Sequence, residues 1–223
     1  MLAMGPVRGP RHDRRVSTFP PEPGTGRAEA FSDGVFAIAI TLLVLEIRPP
    51  EHDGGSLVDG LLDLWPSYFA YVLSFVTIGI MWLNHHELLR LVRAVDRGFL
   101  LMNLVLLLFV AFIPFPTNVL ADFLAEPGER RAAAFFYAGS FTAMAVVYNA
   151  YWHYLRSHRQ LLVPHVTEAE IAAITRSFLF GPTVYGLATL AALVSAWLSV
   201  AICAVLSASY AVPALRWRVR RRS

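Results

Sequence analysis

A chain of 223 residues that is 56% apolar and only 16% charged excludes a soluble enzyme and places most of its length in a bilayer. Its net charge of +3 comes from arginine alone, since the sequence has no lysine. The arginines are distributed as membrane orientation requires, so nucleic acid is not an expected partner.

Residues 1–26 are rich in Pro, Gly and Arg without apolar periodicity and are expected to form a disordered basic tail. No cleavable signal is evident, because Arg11, Arg14 and Arg15 are followed by Pro20, Pro21 and Pro23 rather than by an apolar core. The first span is predicted from Phe31 to Ile47, within the working range of roughly 17 to 25 residues. Arg48-Pro49-Pro50 ends it.

This span carries Ser32 and Asp33 just inside its amino end. An ionisable group at membrane depth costs about 2.5–3.5 kcal/mol and normally faces a partner or a water path. At roughly 100° per residue, Ile38 lies about 140° from Asp33 and about 120° from Ser32. Ile38, Leu42 and Leu45 form one apolar seam, with Thr41 on its flank, turned away from the polar pair. Periodicity alone leaves the seam facing lipid, another helix or a pore.

An acidic, Gly-containing linker is expected from Glu51 to Asp63. The second span runs from about Trp65 to Leu83, with Trp65, Tyr68 and Tyr71 as interfacial aromatics. A basic loop with Arg90, Arg93 and Arg97 leads to a third span, Gly98 to Leu120, which Pro114 and Pro116 should kink or terminate. The fourth covers Arg131 to Tyr154, with His153 and His158 at its interfacial end. Glu168 to Ala214 is long enough for two more, divided near Ala196 to Ser199. Residues 27–215 thus form one all-α, polytopic domain of six membrane helices, followed by a basic tail at 216–223.

With the amino end cytoplasmic, sixteen arginines lie inside, and only Arg48, Arg130 and Arg131 lie outside. That asymmetry predicts cytoplasmic termini and an even number of spans in the cell membrane. The carboxyl-terminal arginines are also suited to anionic lipid, although topology alone accounts for them.

Arg27-x-x-x-Phe31-Ser32-Asp33, followed by Gly34-Val35-Phe36-Ala37-Ile38-Ala39-Ile40-Thr41-Leu42, resembles the first-helix signature of the prokaryotic transmembrane protein 175 family. Trp82-Leu83-Asn84-His85-His86 and the stretch from Asn103 through Phe112-Ile113-Pro114-Phe115-Pro116-Thr117 resemble the same family, in the expected order. The resemblance implies a potassium-permeable homotetramer whose first helices line a central pore with an apolar constriction. It also implies hydrogen bonds from His85, His86 and Asn103 to the region of Arg27, Phe31, Ser32 and Asp33. Arg27 lies within about 20° of the seam, which leaves it facing either an inner vestibule or this network.

Asn84-His85-His86-Glu87 argues against a metal site, because adjacent histidines on a helix diverge by about 100°. Thr183-Val184-Tyr185-Gly186 lacks the extra glycine of a carbonyl selectivity filter and follows Gly181-Pro182 inside a predicted helix. Cys203 is single. No nucleotide fingerprint or nucleophile elbow is present, and no cofactor is expected. The expected activity is a channel in which rings of Ile38, Leu42 and Leu45, with Thr41 beside them, pass potassium as the permeant ion. Glu46, Glu51 and Asp53 would concentrate cations at the outer mouth. The alternative is a proton-coupled secondary transporter relaying through Asp33 and His85 or His86.

Overall fold

The computed structural model describes residues 24–50 and 55–220, with side chains as far as residue 209. Of the expected tails at 1–26 and 216–223, residues 1–23 and 221–223 lie outside the described residues, as do Glu51 and Asp53, whereas Thr25 and Gly26 already belong to α1. The chain is all helical: α1 (Thr25–Leu42), α2 (Leu57–Asp63), α3 (Trp65–Leu89), α4 (Arg97–Phe112), α5 (Pro114–Phe123), α6 (Arg130–Ser157), α7 (Glu168–Ala192) and α8 (Ala196–Arg220). Single 3₁₀ turns follow α1 at Leu43–Glu46 and α6 at Arg159–Leu161.

Three stretches are long and apolar enough to cross a membrane by composition alone: Thr25–Glu46, Trp65–Leu89 and Arg97–Phe123. They are the first three spans read from the sequence. The helix of the first starts upstream of Phe31, so the polar signature is itself helical. α3 continues six residues past Leu83, carrying His85 and His86 within it. Pro114 interrupts the third span without ending it. Lacking an N–H, the ring cannot serve the Val110 carbonyl, which accepts instead from Ile113 N at 3.3 Å, and α5 resumes with proline in its first turn.

Three boundaries differ from expectation. Leu57–Asp63 is helix rather than linker, because Leu57 and Leu61, and Val58 and Leu62, recur at helical spacing beyond the Pro and Gly residues. The break between α7 and α8 falls at 193–195, just before the predicted Ala196 to Ser199. α8 continues in its backbone past residue 215 to Arg220.

α6 is the hub, packed against α4, α5, α7 and α8, and its Tyr137, Phe141, Tyr151 and Trp152 are among the largest fully buried side chains. Small polar groups fasten the surrounding helices. Ser74 Oγ bonds to Thr117 Oγ1 at 2.8 Å and to the Tyr137 hydroxyl at 3.0 Å, while Thr77 Oγ1 bonds to Ser207 Oγ at 2.7 Å. Such bonds act as glue where the hydrophobic effect between helices is weak. α1 is not among the helices packed on this hub. It lies at the margin against α3, α4 and α5, so only part of its circumference is covered.

Candidate functional site

The covered face of α1 consists of Ala28, Ser32, Phe36, Ala39 and Leu43, all buried, at the three- and four-residue spacing of a single stripe. Ser32 sits deepest. Its hydroxyl donates to the Ala28 carbonyl at 2.8 Å, which leaves the oxygen free to accept from Asn103 Nδ2 of α4 at 2.9 Å. The other end of the Asn103 amide accepts from His85 of α3, with Nε2 and Oδ1 2.9 Å apart. Because Asn103 Oδ1 can only accept, the His85 proton is on Nε2. One buried amide therefore joins three helices. Phe36 and Tyr151 lie against the imidazole, with ring centroids 5.4 and 6.4 Å away.

A second cluster lies about a quarter turn away and is half exposed. Trp82 Nε1 donates to Asp33 Oδ1 at 2.8 Å, the indole stacks on His86 at 6.1 Å, and His86 Nδ1 is 3.1 Å from Glu29 Oε1. The single network expected from the sequence is therefore two parallel clasps. Ser32, Asn103 and His85 form the dry one, and Asp33 and His86 belong to the wetter one. Adjacent residues on a helix diverge, so Ser32 and Asp33 on α1, and His85 and His86 on α3, cannot share partners.

Arg27 and Phe31 join neither cluster. Both lie seven or eleven residues before Ile38, on its side of α1, and line a groove with Val95, Leu100 and Leu104. Of the relay residues of the carrier reading, Asp33 and His85 take different partners, Trp82 and Asn103, whereas His86 shares the Trp82 cluster with Asp33. Trp82 and Glu29 were missed as site residues. The signal was present, since Trp82 is the only N–H donor on α3 one turn before His86.

Opposite the clasps the seam is bare. Ile38 is 60% exposed, Leu42 39% and Leu45 71%, and Phe31 further along is 55% exposed. The 3₁₀ tightening after Leu42 keeps the row straight, because residues three apart eclipse in that geometry and Leu45 stacks over Leu42. Thr41 is exposed beside it, and its hydroxyl donates to the Ile38 carbonyl at 2.9 Å. At the far end Glu46 Oε2 accepts from Asn118 Nδ2 at 2.7 Å, which fastens the carboxyl end of the helix to α5.

Thr183 to Gly186 is regular helix within α7, with Thr183 Oγ1 bonded to the Leu179 carbonyl at 2.8 Å. Pro182 leaves the Phe178 carbonyl without its helical donor, and Asn149 Nδ2 of α6 takes that place at 2.6 Å. Among the described residues no cluster of three or more His, Cys, Asp or Glu is arranged to hold a metal.

The sequence profile described as endosomal/lysosomal potassium channel TMEM175 matches residues 27–114, the segment that holds both clasps and the seam. A protein from Chamaesiphon minutus named a potassium channel is 47% identical over 196 residues, spanning 86% of this chain and 96% of that relative. A Streptomyces collinus protein, also named a potassium channel, is 44% identical over 187 residues, spanning 83% and 91%. The crystal structure of a lysosomal potassium-selective channel TMEM175 homolog from Chamaesiphon minutus superimposes with a TM-score of 0.77, covering 85% of this chain and 97% of that one. Likeness at this identity over nearly the whole length, in sequence and in fold, makes this chain a member of the TMEM175 family of membrane ion channels.

Proposed function

We propose that four copies of this chain surround an axis lined by α1 and conduct potassium through stacked rings of Ile38, Leu42 and Leu45. One observation carries the reading: α1 is fastened along one face by two clasps, while the opposite face is a straight apolar row left exposed among the described residues. The six membrane helices of the subunit are α1, α3, α4 with α5, α6, α7 and α8, with both termini cytoplasmic and the protein in the cell membrane. The arginine asymmetry and the family's potassium channel relatives support this arrangement.

An apolar ring wide enough for a partly dehydrated ion passes the cation that sheds water at lower cost, which is potassium rather than sodium. No carbonyl filter is needed, and selectivity by this route is weaker than such a filter gives. The Thr41 hydroxyl oxygen, whose proton is engaged by the Ile38 carbonyl, presents lone pairs beside the rings. Potassium is the permeant ion, and no cofactor takes part.

The test is cation flux into liposomes containing only the purified protein, with wild type beside Ile38→Asn. A polar ring at that level wets the constriction, so flux of both potassium and sodium rises and their ratio falls. Unchanged flux and selectivity in Ile38→Asn would remove the seam from the pore.

A further inference from the structure

A groove of about 700 Å³ lies where the end of α6 meets the start of α7, away from the seam and both clasps. Three separate elements bring arginine to it: Arg156 from α6, Arg159 from the 3₁₀ turn and Arg176 from α7. Glu168 is the one carboxylate on its wall, and it is engaged by Arg159 at 2.9 Å. Arg156 Nη2 faces His153 Nδ1 at 3.0 Å. Three guanidinium groups against one carboxylate leave two positive charges in excess. The floor is apolar, formed by buried Ile171 and by Ala172.

Positive-inside topology accounts for arginine at this end of the helices, but not for the convergence of Arg176 with Arg156 and Arg159 on one groove. That residue is nine positions past the Thr167 cap, about 13 Å along the helix towards its apolar part. Among the described residues no group is paired with it, so its exposed guanidinium lines the groove without a counter-charge. The groove is also built rather than loose. Thr167 and Glu170 form a reciprocal capping box, Trp152 Nε1 donates to Thr175 Oγ1 at 2.9 Å, and Arg93 N and Nε hold the Leu161 and Gln160 carbonyls at 2.9 and 3.0 Å.

We infer that this groove binds the phosphodiester headgroup of an anionic phospholipid of the cytoplasmic leaflet. Arg176 and Arg156 donate to the phosphate oxygens, and the glycerol and first acyl carbons lie on Ile171 and Ala172. Guanidinium forks match phosphate geometry, and basic pockets between helices on the cytoplasmic side suit such headgroups. The source is lipid rather than free phosphate because apolar Ile171 and Ala172 line the groove beside the arginines, a surface that suits acyl carbons and not a free ion. The assignment rests on the cytoplasmic placement of this loop in the reading above, but not on conduction.

The experiment is native mass spectrometry of the detergent-purified protein offered equal amounts of phosphatidylglycerol and phosphatidylcholine, with wild type, Arg176→Gln, Arg156→Gln/Arg176→Gln and Arg131→Gln. Wild type and Arg131→Gln retain phosphatidylglycerol in about tenfold preference, and both groove variants lose most of that preference. Arg176→Lys keeps the charge without the fork and is intermediate, which guards against a misfolded Gln variant. Equal retention of the two lipids by wild type, or undiminished preference in the groove variants, overturns the proposal. Displacement of phosphatidylglycerol by millimolar inorganic phosphate overturns the lipid assignment in favour of the free ion. Retention without potassium flux would overturn the channel reading alone, and flux without selective retention would overturn this one alone.

Discussion

Asn103→Leu is the perturbation that tests the dry clasp. Leucine keeps the branched shape and heavy-atom count of asparagine but removes both ends of an amide that donates to Ser32 Oγ and accepts from His85 Nε2, each at 2.9 Å. Ser32 loses little, because its hydroxyl still donates to the Ala28 carbonyl, and an interhelical bond of this kind contributes about 0.6 kcal/mol in a membrane protein. His85 loses more. Its ring is fully buried, and moving the proton to Nδ1 gives no relief, because no protein group bonds that nitrogen either. A buried donor left without an acceptor costs about 1–3 kcal/mol, which gives a total of about 1.6–3.6 kcal/mol for the variant. The assay is unfolding in detergent at fixed protein concentration, run as a double-mutant cycle with His85→Phe. Removing the imidazole removes the orphaned donor, so the double variant is about 1–2 kcal/mol more stable than the sum of the single losses. A loss below about 0.5 kcal/mol for Asn103→Leu, or strict additivity with His85→Phe, would refute the buried three-helix bond.

The wetter clasp is weaker. Trp82→Phe keeps the ring on His86 but loses the N–H to Asp33, and in the same assay it costs about 0.5–1 kcal/mol, less than Asn103→Leu. Asn149→Leu orphans the Phe178 carbonyl beside Pro182 and costs about 1–3 kcal/mol. Adding Pro182→Ala restores a backbone donor there and recovers most of that loss, and a thermal shift series reads both effects. Asp96 caps α4 by accepting from Phe99 N at 2.7 Å, and that bond holds its carboxyl below its ordinary value of 3.8, with the Tyr154 hydroxyl adding to the effect. A lowered folded-state value means that the stabilisation is complete above 3.8 and is lost as pH falls through the lowered value. Unfolding measured from neutral pH down through that range therefore shows an acid-dependent loss that Asp96→Asn lacks. Gly98 cannot be changed without disturbing this corner, because a Cβ there collides with the Tyr154 phenol.

The sequence made the apolar spans legible because bilayer crossing is a property of composition and length, both one-dimensional. Pro114 and the Arg48-Pro49-Pro50 stop were legible for the same local reason: a missing N–H acts on the residues beside it. Leu57–Asp63 was misread as a linker because its neighbours are Gly, Asp and Pro, and four apolar residues at helical spacing are a short signal against that background.

Within the site, the sequence determined that Ser32 and Asp33 require partners and that Ile38, Leu42 and Leu45 face away from them, since both follow from 100° per residue along one helix. Which partner each residue takes was decided only by the tertiary structure, because it depends on how α1 is rotated against α3 and α4. That rotation brings Asn103 under Ser32 and Trp82 under Asp33, divides one expected network into two clasps and leaves Arg27 and Phe31 on the seam side. The convergence of Arg156, Arg159 and Arg176 likewise appears only once α6 and α7 are packed, because residues twenty positions apart share a groove through their helices and not through the chain. The uncovered face of α1 has the same origin. Periodicity shows that a face is apolar, but only the packing of the other helices around α6 leaves that face exposed among the described residues.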